Sequence, residues 1–528
     1  MKYENERIRV KLFLEGEWLV RKGFTPIDIS SGIKWNYQHS DNPATYQTYM
    51  HSLGILNDLM RISQIDHNTN LEKKARDLIL DWHSIDHSKG KNYAWKEHPV
   101  SSRINNIISF QSRAEKYKLS KKIFDKLIIE HCNYLSKEKN YKFNNHGLMM
   151  DNALINAASF LSDNDLKQLY IEKALYRIRY AMQRDFSRQG VHLENSPEYH
   201  RMIIMIYKNI EKKLKELKIP LGKQETAILK LAQQFRNFII QPNQVYPMIG
   251  DTGSIPDTRI KKNFNDFHDA EAGITIFHNY NQVEPEKSSM MIFKAGYYNK
   301  THKHYDDLST YLYLNGEELL IDSGKYSYSG KDPIRKHIIS PKGHNTVNLS
   351  GQDYQLVDPL QEQFKLKLAK RIIKSQYKMI SGINKLYTNS TLTRYSILTK
   401  EDVCIIIDRV VSKENKATYQ NFNINEDATI EKIDELTYEI LLNNKKFGIK
   451  TFERNASTIE SKIAKGYISR KFGEYNHNER ILYKQNNKNT TYITAIYSKD
   501  EDIEIDYINL RLSKLTYSIN GKEVTIEL

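Results

Sequence analysis

The chain has 528 residues, 39% hydrophobic and 27% charged; it is too long for one ordinary core and too apolar for a disordered chain, so two folded domains are expected. Its net charge of +15 calls for an acidic partner: nucleic acid, an anionic membrane or an acidic polysaccharide. Lys and Arg are spread along the whole chain without a basic tail, zinc-finger spacing or RNP motif, which argues against a nucleic-acid module, and no stretch of about 18 apolar residues supports a membrane span. Cys132 and Cys404 each sit in an apolar run and read as buried free thiols. The start, Met1 to Glu6, is polar and lacks an export-signal pattern, so a cytoplasmic location is expected unless such a signal was removed. The 35 tyrosines suit carbohydrate binding, having a flat apolar face and a polar tip; a compositional bias favouring Tyr, Lys, Asn and Ile together is the plainer explanation of their number.

In chain order, the first half reads as helix. From Pro43 to Ser63 the residues Tyr46, Met50, Leu53, Leu56 and Met60 follow spacings of three and four. Leu71, Ala75, Leu78 and Trp82 repeat the pattern. So do Leu166, Leu169, Ala174, Leu175, Ile178 and Met182, with Ser162-Asp163 as the cap, and then Ile203, Ile206, Ile210 and Leu214. Helices this short and numerous predict a layered or toroidal all-α domain up to about Pro242. The period changes after the turn-rich stretch from Asp251 to Ala272. Ser309 to Leu314 alternates as a half-buried strand, Asn315-Gly316 is a turn, and Glu318 to Asp322 follows. The β-branched runs Val403–Val411, Thr491–Tyr497, Ile503–Ile508 and Val524–Leu528 predict an antiparallel sandwich or stacked sheets.

Four polar segments interrupt these patterns. Asn144-Asn145-His146-Gly147 precedes a helix and either binds a carboxylate or merely caps. His192 to Arg201 contains Glu194, Ser196, Pro197, Glu198, Tyr199 and His200. Pro197 opens a helix there, whose positive end is expected to lower the pKa of the Tyr199 phenol; a polar loop with a capping Ser is the alternative. In His302-Lys303-His304 the two imidazoles point to one side if the segment is a strand, an arrangement that suits a metal or a substrate. Asp322-Ser-Gly324 and His344-Asn345-Thr346 could complete a site with His304. Taken singly, each of these residues also fits a satisfied surface side chain.

In this order the segments resemble the heparinase II/III family. Its members carry an Asn-His pair, a His-x-Glu-x-Ser-Pro-x-Tyr-His stretch, a Gly-His-x-His-x-Asp-x-Leu-Ser segment, Leu-Leu-x-Asp-x-Gly and His-Asn-Thr. Here these stand as Asn145-His146, His192 to His200, His302 to Ser309, Leu319 to Gly324 and His344 to Thr346. The motifs span roughly residues 140–350, and Pro247 to Asp251 fits as well. Thr301 replaces the usual small residue, and Lys303 between the histidines is expected to add charge beside the substrate path.

The resemblance implies an (α/α) toroid over residues 1–262 and an antiparallel β-sandwich over 263–528, with the active site in the cleft between them. It implies a carbon–oxygen lyase that cleaves a uronate-containing glycan by β-elimination; glycosaminoglycan, alginate and exopolysaccharide are all open. Asn145 and His146 would bind the carboxylate, and Tyr199 and His302 would move the protons, in an order left open. His192, Glu194, Arg201 and Tyr298 would contact substrate. His304, Asp322 and His344 would hold a structural Zn²⁺, with no organic cofactor; a hydrogen-bonded triad without metal also fits. Two alternatives stand beside this reading: a glycoside hydrolase using carboxylates among Glu194, Glu198 and Asp251, and a non-catalytic glycan-binding protein of the same fold.

Overall fold

The computed structural model describes residues 3–40, 42–87, 93–351, 353–356, 364–452, 459–500, 503–511 and 513–528; Met1 and Lys2 of the polar start lie outside this set. Among the described residues ten α-helices come first, α1 Glu4–Leu14, α2 Pro43–His51, α3 Ile55–Asp66, α4 Thr69–Ser84, α5 Glu97–Arg113, α6 Lys121–Ser136, α7 Asn145–Ala158, α8 Asn164–Asp185, α9 Pro197–Glu216 and α10 Lys223–Ile239, with a short antiparallel pair, Glu17–Trp18 and Ile27–Asp28, between α1 and α2. Antiparallel strands follow, with one further helix, α11 Pro333–Ile339, among them. The expected order of helical region and then antiparallel β region is therefore the observed one.

The described chain packs as two compact units, residues 1–184 with 205–226 and residues 185–204 with 227–528. In the helical unit, α5 packs against α6 and α7, and α3 against α1 and α4. The periodic residues Tyr46, Met50, Leu53, Leu56 and Met60 are all buried. They do not share one helix, because Leu53 turns left-handed at φ 53° between α2 and α3. Asp163 caps α8 by accepting from the amides of Asp165 and Leu166. Leu169 departs from its predicted stripe and is 58% exposed.

The β unit is built of stacked sheets. Strands Phe267–Asp269, Ile274–Asn279, Ser289–Lys294, Ser309–Leu314 and Glu317–Leu320 form a five-stranded sheet. Ser309–Leu314 is buried along its whole length rather than on one side. Leu312 and Leu314 join the core shared with a ten-stranded sheet, while Tyr311 and Tyr313 join a second core with Val191, Phe235 and Ile239. Because alternate side chains leave a strand on opposite faces, a strand covered on both faces loses the polar half of the alternation. The ten-stranded sheet contains the long strands Cys404–Asn423 and Glu474–Ser498, and its other face packs on a C-terminal three-stranded sheet. The Asn315-Gly316 turn has φ 47° and 84°, the left-handed pair that a tight hairpin needs. Among the described residues no helix is long and apolar enough to cross a membrane.

Candidate active site

The segment 185–204 carries the densest cluster. A turn at Ser187–Gly190 folds the chain back so that Phe186 pairs with His192. Gly190 has φ 81°, and a Cβ there would lie 2.5 Å from the Ala232 amide nitrogen, so glycine is required. Pro197 is the first residue of α9, and Ser196 caps it, its hydroxyl accepting from the Tyr199 amide at 3.4 Å. Tyr199 thus sits in the first turn, as expected.

The ring of Tyr199 stacks on that of His302, with centroids 3.4 Å apart and planes 16° from parallel. The Tyr199 hydroxyl hydrogen-bonds the hydroxyl of Tyr328. His302 Nδ1 lies 3.2 Å from Glu194 Oε2, and both side chains are largely buried. The His302 backbone is left-handed at φ 55°, and the segment around it is irregular rather than a strand. His302 and His304 therefore do not share a strand face: His302 meets Tyr199 and Glu194, whereas His304 Nε2–H donates to Asp251 Oδ1 at 2.9 Å. Asn195 braces this loop, its side-chain amide donating to the carbonyls of Asn299 at 2.9 Å and Thr301 at 3.1 Å.

The phenol of Tyr199 moves opposite to the expectation. Burial, followed by the Tyr328 hydroxyl and nearby carboxylates, raises its pKa. Desolvation of a phenolate outweighs the helix's positive end, which is partly screened. The Tyr199 hydroxyl therefore keeps its proton at neutral pH.

Lys303 also departs from its expected place. It is buried, with its ammonium on Asp306, on Asp307 at 2.9 Å and on the His304 carbonyl at 2.8 Å. Lys294 reaches the same Asp306 at 2.8 Å. Lys303 thus anchors the loop from within and adds no charge to a substrate path.

The remaining residues divide. His192 and Tyr298 line a small apolar cavity of about 30 Å³ with Val191, Leu193, Phe235 and Ile249, with room for about one water rather than a sugar. Arg201 points Nε at Asp257, 3.5 Å away, a carboxylate it shares with Arg236 and Arg259. In the helical unit, Asn144 rather than Asn145 caps α7, accepting from the His146 amide. The Asn145 side chain is partly exposed and makes no hydrogen bond among the described residues. His146 Nδ1 lies 3.3 Å from Glu97, and that contact holds the Glu97 carboxyl down at about 2.

His304, Asp322 and His344 lie in one buried cluster. His344 Nδ1 is 3.1 Å from Asp322 Oδ1, and the two imidazoles are 5.3 Å apart. His304 Nδ1 and both ring nitrogens of His344 are buried without a hydrogen-bond partner. Two imidazoles with free nitrogens and a carboxylate are the donor set of a Zn²⁺ site, and a buried orphan nitrogen is costly unless something binds it. As placed, these side chains form no ready metal-holding group among the described residues, so it is the donor chemistry that fits a metal. Asp251 steadies the cluster from behind. Burial would raise its carboxyl, but His304 and Arg335 together hold it below the ordinary range.

His200 is a structural brace. Its Nδ1 accepts from the His192 amide at 3.1 Å, which leaves Nε2–H to donate to the Ala232 carbonyl at 2.8 Å. Burial pulls its pKa down to about 3, against about 6.5 unfolded. The stability it contributes is therefore full above pH 6.5 and is lost as pH falls toward 3, at about 1.4 kcal/mol per pH unit. Thermal midpoints should fall between pH 7 and pH 5, and His200→Gln should start lower yet fall less steeply. An equally steep fall in the variant would show that this imidazole plays no such part.

Three residues of the cluster, Asn195, Tyr328 and Arg335, carried no sequence signal for their roles. Tyr328 and Arg335 lie in or just after the turn-rich Gly324–Gly330 stretch, and Asn195 reads as an ordinary loop residue.

A search of curated protein sequences found no match. Among solved structures, the heparan sulfate lyase HepC mutant from Pedobacter heparinus is 17% identical, with a TM-score of 0.79 over 99% of this chain and 89% of that one. A structure described as heparinase III is 18% identical, with a TM-score of 0.80 over 99% and 90%. At such identities the likeness shows the fold. The family model for the heparinase II/III N-terminus matches residues 2–272, and that for the heparinase II/III-like C-terminal region matches residues 261–503. Matched by both halves of the family in sequence, the chain belongs to the heparinase II/III family of polysaccharide lyases.

Proposed function

We propose that this protein cleaves a uronate-containing acidic glycan by β-elimination, with His302 as base and Tyr199 as acid. The observation that carries the reading is the stacked pair itself, a phenol kept protonated against an imidazole backed by a carboxylate. The Glu194 carboxylate, 3.2 Å from Nδ1, favours the His302 tautomer protonated on that side, which presents a bare Nε2. That nitrogen takes the proton from the carbon beside the uronate carboxylate. The C–O bond to the departing sugar breaks, a carbon–carbon double bond forms, and the Tyr199 hydroxyl protonates the leaving oxygen. Asn145 and His146 are assigned the uronate carboxylate, whose developing enolate charge their donors would stabilise. Glu194 acts through His302 rather than on the sugar. The places of Arg201 at Asp257 and of His192 in the small cavity make both supports of the fold in this reading. In this reading the helical domain runs over residues 1–262 and the β domain over 263–528, which the overlap of the two family matches at residues 261–272 supports.

Zn²⁺ at His304, Asp322 and His344 would serve as a structural tie of the wall behind His302. Elemental analysis should find about one zinc per chain, and a chelator should lower the melting temperature of the wild type but not of His344→Ala. A metal-free protein indifferent to chelator would leave a hydrogen-bonded triad.

A hydrolase would need two carboxylates facing a glycosidic bond. Asp251 is 1% exposed and bound by His304 and Arg335, and Glu198 is paired with Lys325 at 2.5 Å. The test is incubation with heparan sulfate, alginate and hyaluronan while following absorbance near 232 nm, where an unsaturated uronate absorbs. Cleavage of any of these polymers without that signal overturns elimination.

A further inference from the structure

Helix α11 turns Arg335 toward Asp251, but its next two residues, Lys336 and His337, line a groove of about 700 Å³. Lys342, Lys462 and Arg480 also line it, and Asp353 is its one carboxylate among the described residues. The groove lies partly on a sheet face. Ala464 pairs with Arg480 and Lys462 with Leu482 across one antiparallel ladder, so all four side chains leave the same side.

Lys336, Lys342 and Lys462 are exposed, and neither they nor Arg480 has an ion-pair partner among the described residues. Arg480 is 7% exposed. It donates only to neutral acceptors: the Lys465 carbonyl at 3.2 Å, the Lys342 carbonyl at 3.3 Å and Asn421 Oδ1 at 3.0 Å. Burial pulls its pKa to about 10, so it remains a cation at neutral pH. A buried cation such as Arg480 without a counter-charge is costly, and with the three exposed lysines it concentrates positive potential in one concavity.

We propose that this groove is a second glycan-binding site, taking the carboxylate or sulfate groups of an acidic polysaccharide segment apart from the one held at Tyr199 and His302. The choice of polymer rests on the proposed function. Tyr419 and His337 are the groove's rings among the described residues, few for a single-stranded nucleic acid, which binds by stacking successive bases.

The test uses the full chain carrying Tyr199→Phe, so that polymer stays intact, and measures affinity for heparin and for alginate at low salt. The two polymers separate sulfate-bearing from carboxylate-only recognition. Lys336→Gln combined with Lys462→Gln changes two exposed, unpaired side chains and should leave the fold unchanged. The pair should weaken binding of at least one polymer about five- to tenfold and flatten its salt dependence. In otherwise native protein the same pair should leave the rate on a uronate tetrasaccharide unchanged. Unaltered affinity for both polymers overturns the site, as does failure of the parent to bind either. Single-stranded DNA binding more tightly than both and weakened by the same pair overturns the glycan assignment. If the native protein eliminates nothing but the pair still weakens polymer binding, the groove stands and the lyase reading falls.

Discussion

Tyr199→Phe should lower turnover of a cleavable uronate polymer by on the order of 10²–10⁴, the usual cost of a lost general acid or base. The substitution is a clean one. Phenylalanine keeps the face that stacks on His302 at 3.4 Å and loses only the hydroxyl bonded to Tyr328. That hydroxyl is held protonated by burial and by its neighbours, as an acid for the leaving oxygen must be. Steady-state rates should therefore collapse while the circular dichroism spectrum and melting temperature stay close to native. Near-full activity would refute the mechanism.

Glu194→Gln should cost nearly as much, also on the order of 10²–10⁴, without touching a group that meets the sugar. A carboxylate 3.2 Å from His302 Nδ1 carries no proton to donate, so its negative charge favours the proton on Nδ1 and leaves Nε2 free. A glutamine amide can donate there, which stabilises the tautomer with the proton on Nε2 and removes the base. Replacing the carboxylate behind a catalytic imidazole by its amide has this effect in serine proteases. A purely structural role for Glu194 predicts a lower melting temperature with an unchanged pH profile. The positioning role predicts a near-native melting temperature and an altered limb of the kcat profile. Glu194→Asp, which keeps the acceptor, should recover part of the rate. A glutamine variant with the native rate and pH profile would exclude His302 as the base.

The helical half was legible because a buried helix face repeats every 3.6 residues, so the period alone picked out the core face of α2, α3 and α4. Breaks between helices were less legible. Leu53 continues the period yet leaves the helix at φ 53°, where the chain turns so that α2 and α3 can each pack on α5, a reversal the residue type does not announce. Ser309–Leu314 was read as half-buried because its residues alternate, and only the presence of a core on each side shows that both faces are covered. Likewise Lys303 reads as a surface cation, since isolated lysines nearly always are. The partners that bury it, Asp306 and Asp307, are only three and four residues away, but the loop that brings all three inward has no periodic signature.

By itself the sequence determined the order of helical and β regions, the family, and the identity of the polar residues that break the apolar patterns. These are local properties, written in periodicity, turn chemistry and short motifs. Tertiary structure decided how those polar residues are shared out. It joined Tyr199 to His302 and Glu194, sent His304 instead to Asp251 and His344, set Arg201 on Asp257, and raised the Tyr199 phenol where a helix terminus alone would have lowered it. Each of these outcomes depends on which distant segment supplies the neighbour and how much water it excludes. Burial and pairing are properties of the packed chain, and spacing along the sequence does not encode them.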